Sequence, residues 1–299
     1  MRALALPFVL AALVSMGLAA PSVSAAPPQR VVSLNVCSDQ LLMLLAPPER
    51  IVAVSYLSVD PEISVLAEEA GDFTSTTGRL EEVLELQPDL VLAGTFTTRP
   101  TVFALRRLGI PVVELSPARS FVDVRANLRQ VAAVLEVPDR AERLIAEFDT
   151  ALADVEKGWN DGSEGPRPRV AVYGANGWSA GPGSLRHVVL EAAGLRNLAT
   201  EALIGTRSHL PLEVLVAARP EVIVTSQREP QAPALAEALL SHPAFLELRG
   251  HSNFVAIPQA LWTCGTPFVA EAVRRLAAAV RGRPSNDRLS GSGDPEPVP

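Results

Sequence analysis

The apolar positions of this chain follow two periods that take turns. Short, continuous apolar runs (RVVSLN, RIVAVS, DLVLAG, IPVVEL) are separated by stretches in which apolar residues return every third or fourth position. The first pattern predicts buried strands and the second amphipathic helices. Between Arg30 and Leu115 the helical stretches are SDQLLMLLA, with Ser38 as the expected N-cap, GRLEEVLELQ, and RPTVFALRRLG, closed by Gly109. Strands apolar on both faces, alternating with helices, imply a parallel sheet covered on each side. From Ser120 to Gly158 the strand pattern vanishes and a helical period runs on both sides of Pro138. One helix of that length exceeds what a strand-to-strand crossover needs. After the polar loop NDGSEGPRPR the alternation resumes with RVAVYG, GSLRHVVLEAAGL, LPLEVLVAA, EVIVTS, PALAEALLS, NFVAIP and PFVAEAVRRLAAAVRG.

The pattern therefore predicts an α/β protein of two Rossmann-like lobes with mainly parallel sheets, joined by one long rigid interdomain helix. The boundaries are residues 26–118 for the N-terminal lobe, 119–160 for the helix and 161–282 for the C-terminal lobe. One phrase occurs in both lobes: LEEVLELQPDLVLAG from Leu80 to Gly94, and LEVLVAARPEVIVTS from Leu212 to Ser226. The two lobes are thus expected to share a topology.

Both ends of the chain fall outside this scheme. Residues 1–25 combine Arg2, an apolar run and the small-residue segment SVSAAPP, the pattern of a cleaved signal peptide, which places cleavage after Ala25 and exports the mature protein to a compartment where disulfides persist. Residues 283–299 have nothing to bury and are expected to be disordered. The 299 residues are 48% hydrophobic, ample for two cores. A net charge of −7 without a basic block excludes a nucleic-acid partner.

No catalytic constellation stands out. YGANGWSAGPGS is glycine-rich and follows a strand but lacks the P-loop lysine and the spaced glycines of a dinucleotide site; nucleophile-elbow, paired-histidine and CxxC signatures are missing as well. The chain is expected to be no enzyme and to carry no resident cofactor.

RVVSLNVCSDQLLMLLAPPERIVAVS, followed by LEEVLELQPDLVLAG and RLGIPVVEL, and in the second half LEAAGLRNLA and LPLEVLVAARPEVIVT, together resemble the periplasmic solute-binding proteins of iron-siderophore, haem and vitamin B12 ABC importers. The resemblance spans about Arg30 to Val280. It implies a monomer holding one metal chelate between its lobes and delivering it to an ABC permease dimer at the inner membrane. It further implies that Glu81 and Glu213, second in the two copies of the repeated phrase, dock onto arginine pockets of the two permease subunits, with Glu82 as an alternate for Glu81. Acids in the first turn of a helix also complement its dipole, so the bare sequence allows a purely local role.

Residues that follow strands on the loop side should border the interlobe cleft. These are Asn35 and Cys37, Tyr56, Phe96 and Thr97 in the N-terminal lobe, and Trp178, His209, Trp262 and Cys264 in the C-terminal lobe. VAVSYLSVDP resembles the vitamin B12-binding branch, which implies that Tyr56 touches a corrinoid; the same comparison suggests a cleft position for His209, and Arg207 stands ready for an anionic group. Trp178 lies among Gly, Ser and Pro, where core packing is hard to arrange; Trp262 either faces the cleft or tucks beneath the last helix. Few cations border this cleft, which favours a corrinoid or a neutral chelate over a strongly anionic catecholate siderophore. Cys37 and Cys264 leave three alternatives: a disulfide, thiols touching the cargo, or inert burial. A thiolate pair would also bind a soft metal, which supports a second reading as a periplasmic soft-metal chaperone.

Overall fold

The computed structural model describes residues 26–160, 166–202, 209–226 and 235–281. The N-terminal lobe comprises β1 (Val31–Ser33), α1 (Val36–Leu45), β2 (Ile51–Ser55), α2 (Ala67–Ala70), β3 (Thr74–Thr76), α3 (Leu80–Glu85), β4 (Leu90–Gly94), α4 (Arg99–Arg107) and β5 (Val112–Leu115). Two helices follow, α5 (Phe121–Leu135) and α6 (Pro138–Asn160). The C-terminal lobe comprises β6 (Arg169–Val172), α7 (Leu185–Ala192), β7 (Arg196–Asn197), α8 (Leu198–Glu201), α9 (Leu212–Ala218), β8 (Val222–Ser226), α10 (Pro243–Glu247), β9 (Asn253–Ile257), α11 (Ala260–Thr263) and α12 (Val269–Arg281). Both sheets are parallel, in the orders β3-β2-β1-β4-β5 and β7-β6-β8-β9. This is the two-lobed α/β architecture expected from the sequence.

Alternate residues of the central strands enter different cores, which is why those strands read as continuous apolar runs. In β1 Val31 joins the main core and Val32 a second one; in β8 Val222 and Val224 join the main core and Ile223 a third. The main core does not stop at the lobe boundary. It runs from Leu42 and Leu92 through Leu128 and Val131 of α5 and Ile145 and Phe148 of α6 to Val189, Val224 and Leu276.

Several local expectations need correction. The segment at 119–160 is two helices rather than one. Pro138 lacks an amide hydrogen and pushes Val137 out of the helical region, so α5 ends at Leu135 and α6 starts on the proline. Glu136 makes the turn in the left-handed region (φ 59°). The helices then lie antiparallel, held by Arg129 donating to both Glu142 oxygens, by Arg125 on Asp149 (2.8 Å), and by Phe121 edge-on to Phe148. α5 packs on α1, while the 23-residue α6 packs on α7 and α12 and carries the interlobe connection. The N-cap of α1 is Asn35, not Ser38. Leu235–Ser241, within PALAEALLS, is a 3-10 turn. The edge strands β3 and β7 were not foreseen: Thr74–Thr76 is polar, and β7 has only two residues. The expected signal peptide (1–25), the tail (283–299) and Arg207 lie outside the described residues.

Glu136→Gly distinguishes the two arrangements of the 119–160 segment by sign. A glycine removes the cost of a left-handed side-chain-bearing residue and should raise unfolding free energy by about 1 kcal/mol in urea melts. Inside a continuous helix the same change would lower it by about 1 kcal/mol.

Candidate functional site

In an open parallel sheet the loops at a reversal of strand order splay apart and leave a crevice. The N-terminal sheet reverses between β1 and β4, the C-terminal sheet between β6 and β8. Each reversal opens onto a cavity. The first, about 180 Å³, is lined by Asn35, Cys37, Phe96 and Thr97 of the N-terminal lobe and by Leu185, Thr263 and Gly265 of the C-terminal lobe. The second, about 530 Å³, is lined by Tyr173, Gly174, Trp178, Arg186, Thr225 and Trp262, among others. Leu185 and Arg186 are consecutive, as are Trp262 and Thr263, so these two segments separate the cavities.

Asn35 is fixed from both sides. Its Oδ1 accepts the Cys37 amide hydrogen (3.0 Å), capping α1, and its Nδ2 donates to Thr97 Oγ1 (3.1 Å), tying the loop after β1 to the loop after β4. Phe96, in that second loop, is 83% exposed on the rim of the interlobe cavity. Tyr56 begins a 3-10 turn after β2, is 54% exposed, and borders neither cavity. Asp39, buried in the first turn of α1, holds the 3-10 turn that carries Tyr56: its Oδ2 accepts from the Ser55 amide (3.0 Å) and from Ser58 Oγ (2.5 Å). Burial pushes the Asp39 carboxyl up to about 7, against the downward pull of these bonds.

Cys37 and Cys264 form a disulfide, Cα–Cα 5.0 Å, across 227 positions of sequence. Of the three alternatives open in the sequence, this one holds, and it corrects both the thiol-contact role and the thiolate pair on which a soft-metal chaperone would depend. With each sulfur bonded to the other, no thiolate remains to bind an ion. Among the described residues no group of three or more His, Cys, Asp or Glu side chains is placed to hold a metal. The lobes meet closely here: a Cβ on Gly265, next to Cys264, would overlap Ala118 Cβ.

In the C-terminal lobe Trp178 is 36% exposed and Trp262 only 5%, and both border the larger cavity. The indole of Trp262 is therefore mostly packed yet contributes a wall. His209 pairs with Trp178 in a lone antiparallel bridge and lines neither cavity. Gly177 permits this approach: it adopts φ +70°, and a side chain there would strike the Leu210 carbonyl oxygen and the His209 ring.

Sequence reasoning missed two residues of this cavity. Tyr173 follows β6, stacks on Phe245 (5.2 Å), and keeps its hydroxyl buried without a hydrogen-bond partner among the described residues. Burial, with Glu213 as a lesser influence, raises its pKa. The guanidinium of Arg186 sits 4.5 Å from the Trp178 ring centre and 5.1 Å from that of Trp262. The available signal for Arg186 was its place in the first turn of a helix, where the dipole disfavours a cation.

The repeated phrase places Glu81 and Glu213 in the first turns of α3 and α9, both exposed. Glu82 is engaged locally, accepting from Thr76 Oγ1 (2.9 Å) and from the amide and hydroxyl of Thr77 (2.8 Å each), bonds that lower its pKa.

Comparison with known proteins adds independent findings. A family model described as periplasmic binding protein matches residues 31–249. A cobalamin-binding protein of Halobacterium salinarum is 29% identical over 262 residues, 84% of this chain and 69% of its own length. A vitamin B12-binding protein of Pectobacterium atrosepticum is 31% identical over 131 residues, 43% of this chain and 46% of its own. Among solved structures, the periplasmic haem-binding protein of Roseiflexus sp. in apo form superposes with a TM-score of 0.69 at 23% identity, covering 84% of this chain and 98% of that one.

Proposed function

Because the chain belongs to the periplasmic binding protein family, we propose that it captures a planar metal chelate in the periplasm and delivers it to an ABC permease, with a corrinoid as the favoured cargo. The observation that carries this reading is the pairing of strand-order reversals: both open onto adjoining cavities, and Phe96, Trp178 and Trp262 supply aromatic walls from the two lobes. Aromatic faces suit a flat macrocycle because stacking adds to the burial of apolar area. The cobalamin-binding and vitamin B12-binding relatives support the corrinoid choice. Haem is a planar chelate of the same kind, and a ferric siderophore is the non-planar alternative. Tyr56 and His209, outside both cavities, act in this reading only on a ligand large enough to project beyond them.

Binding is tested by titrating the purified protein with cyanocobalamin, haemin and a ferric siderophore while following tryptophan fluorescence. If the indole of Trp178 stacks on the cargo, Trp178→Ala should weaken the bound ligand by roughly 1–3 kcal/mol, about ten- to a hundredfold, with little change in melting temperature. An unaltered dissociation constant removes Trp178 from the site.

Delivery, in this proposal, uses Glu81 and Glu213 as one anchor per lobe on a two-fold permease, since paired charges fix orientation and partner choice. Their exposure, and the local engagement of Glu82, support the assignment. The double variant Glu81→Arg, Glu213→Arg should abolish uptake in cells while the isolated protein keeps its affinity for cargo. Normal uptake at matched expression overturns the docking role.

A further inference from the structure

Arg186 is difficult to account for as a structural residue. It occupies the second position of α7, where the helix dipole opposes a positive charge. It is partly buried, and desolvation lowers its pKa to about 10, so it remains a cation at neutral pH. Its neighbours in the first turn are otherwise committed: Ser184 caps the helix by accepting the His187 amide hydrogen (3.3 Å), and the His187 ring contacts Asn197 (3.2 Å) and Glu191 (3.4 Å). Arg186 itself has no hydrogen-bond acceptor and no acidic partner among the described residues. Its contacts are the two indoles, at 4.5 and 5.1 Å, and those interactions leave the planar N–H fork without an acceptor. The same cavity is lined by Tyr173, whose buried hydroxyl also lacks a partner among the described residues. One cavity thus combines a desolvated guanidinium able to donate with aromatic walls, and no acid stands among its lining residues.

We propose that Arg186 is a specificity-determining residue that seats one peripheral oxyanion of the cargo, a carboxylate or a phosphodiester, between Trp178 and Trp262. The inference rests on the chelate-carrier reading and narrows it: the cargo is a flat macrocycle bearing an anionic arm. A guanidinium already held by two rings loses little freedom when it binds, and a charge-assisted bond in a dry pocket is worth more than one in water. A single arginine matches a single oxyanion, in keeping with the poor fit of a catecholate siderophore that carries many.

Two ligand pairs decide the question and separate the two anions. Cyanocobalamin carries a phosphodiester that dicyanocobinamide lacks, and haemin carries two carboxylates that its dimethyl ester masks. Dissociation constants are measured for all four with wild type and Arg186→Gln. Within whichever pair binds, the variant should weaken the anion-bearing member about ten- to a hundredfold and alter the other by less than about twofold. Arg186→Lys, which keeps the charge but not the fork, should fall between. Ligand-free Arg186→Gln should melt at or above the wild-type temperature, since it removes an unpaired desolvated cation. Equal weakening of both members of a pair, or none, overturns the assignment while leaving the carrier reading intact. If no macrocycle binds, the carrier reading fails and phenyl phosphate decides the arginine's role. Tryptophan quenching by phenyl phosphate but not phenol, lost in Arg186→Gln, sustains the oxyanion seat; no such quenching overturns it.

Discussion

The disulfide between Cys37 and Cys264 joins the first strand-to-helix loop of one lobe to the segment entering the last helix of the other. Few covalent constraints in a chain of this size act over so long a separation. Closing a loop of 227 residues removes unfolded-state entropy worth about 5 kcal/mol in the chain-entropy account, with about 2–4 kcal/mol the usual range for disulfides. The greater consequence is geometric. Cys37 lines the interlobe cavity, and Gly265 lets the lobes approach so closely beside Cys264 that even a methyl group would collide with Ala118. The bond therefore sets the separation of the lobes where the cargo is expected to lie. The continuous core through α5 and α6 supports the same arrangement from behind. A cleft fixed before the ligand arrives loses less order on binding than one that must close.

Within this frame the proposed site is divided between residues that hold the walls and residues placed to meet the proposed cargo. Asn35 and Asp39 belong to the first group: one joins the loops after β1 and β4, the other fastens the turn that carries Tyr56. Phe96, Trp178 and Trp262 provide the walls, and Arg186 provides the charge. The arginine departs from what the local fold would favour, being desolvated, unpaired among the described residues and placed against a helix dipole. Such conflicts concentrate where a fold has been bent to a function.

The lobes were legible because parallel strands buried on both faces leave a strong one-dimensional mark, as in Val31–Ser33 and Val222–Ser226. β3 left no such mark, since an edge strand with Thr74 and Ser75 exposed does not need apolar residues. Pro138 announced its break openly, but an unbroken helical period on either side outweighed it, and only tertiary structure shows the chain doubling back. The cleft loops were found by their position after strands, which brought Asn35, Cys37, Phe96, Trp178 and Trp262 to the two cavities and left Tyr56 and His209 outside them. The fate of the cysteines was not legible in the same way, because their pairing depends on how two lobes dock and no local pattern records it. Arg186 was hidden inside GSLRHVV, where a cation on a short helix looks like ordinary surface.

Peptide mapping of the exported protein without reduction tests the interlobe constraint most directly. Trypsin should release residues 31–50 and 250–274 as one cross-linked species containing Cys37 and Cys264, which separates into its two peptides when a reductant is added. Recovery of both peptides as separate alkylated thiols from natively folded, unreduced protein would contradict the account.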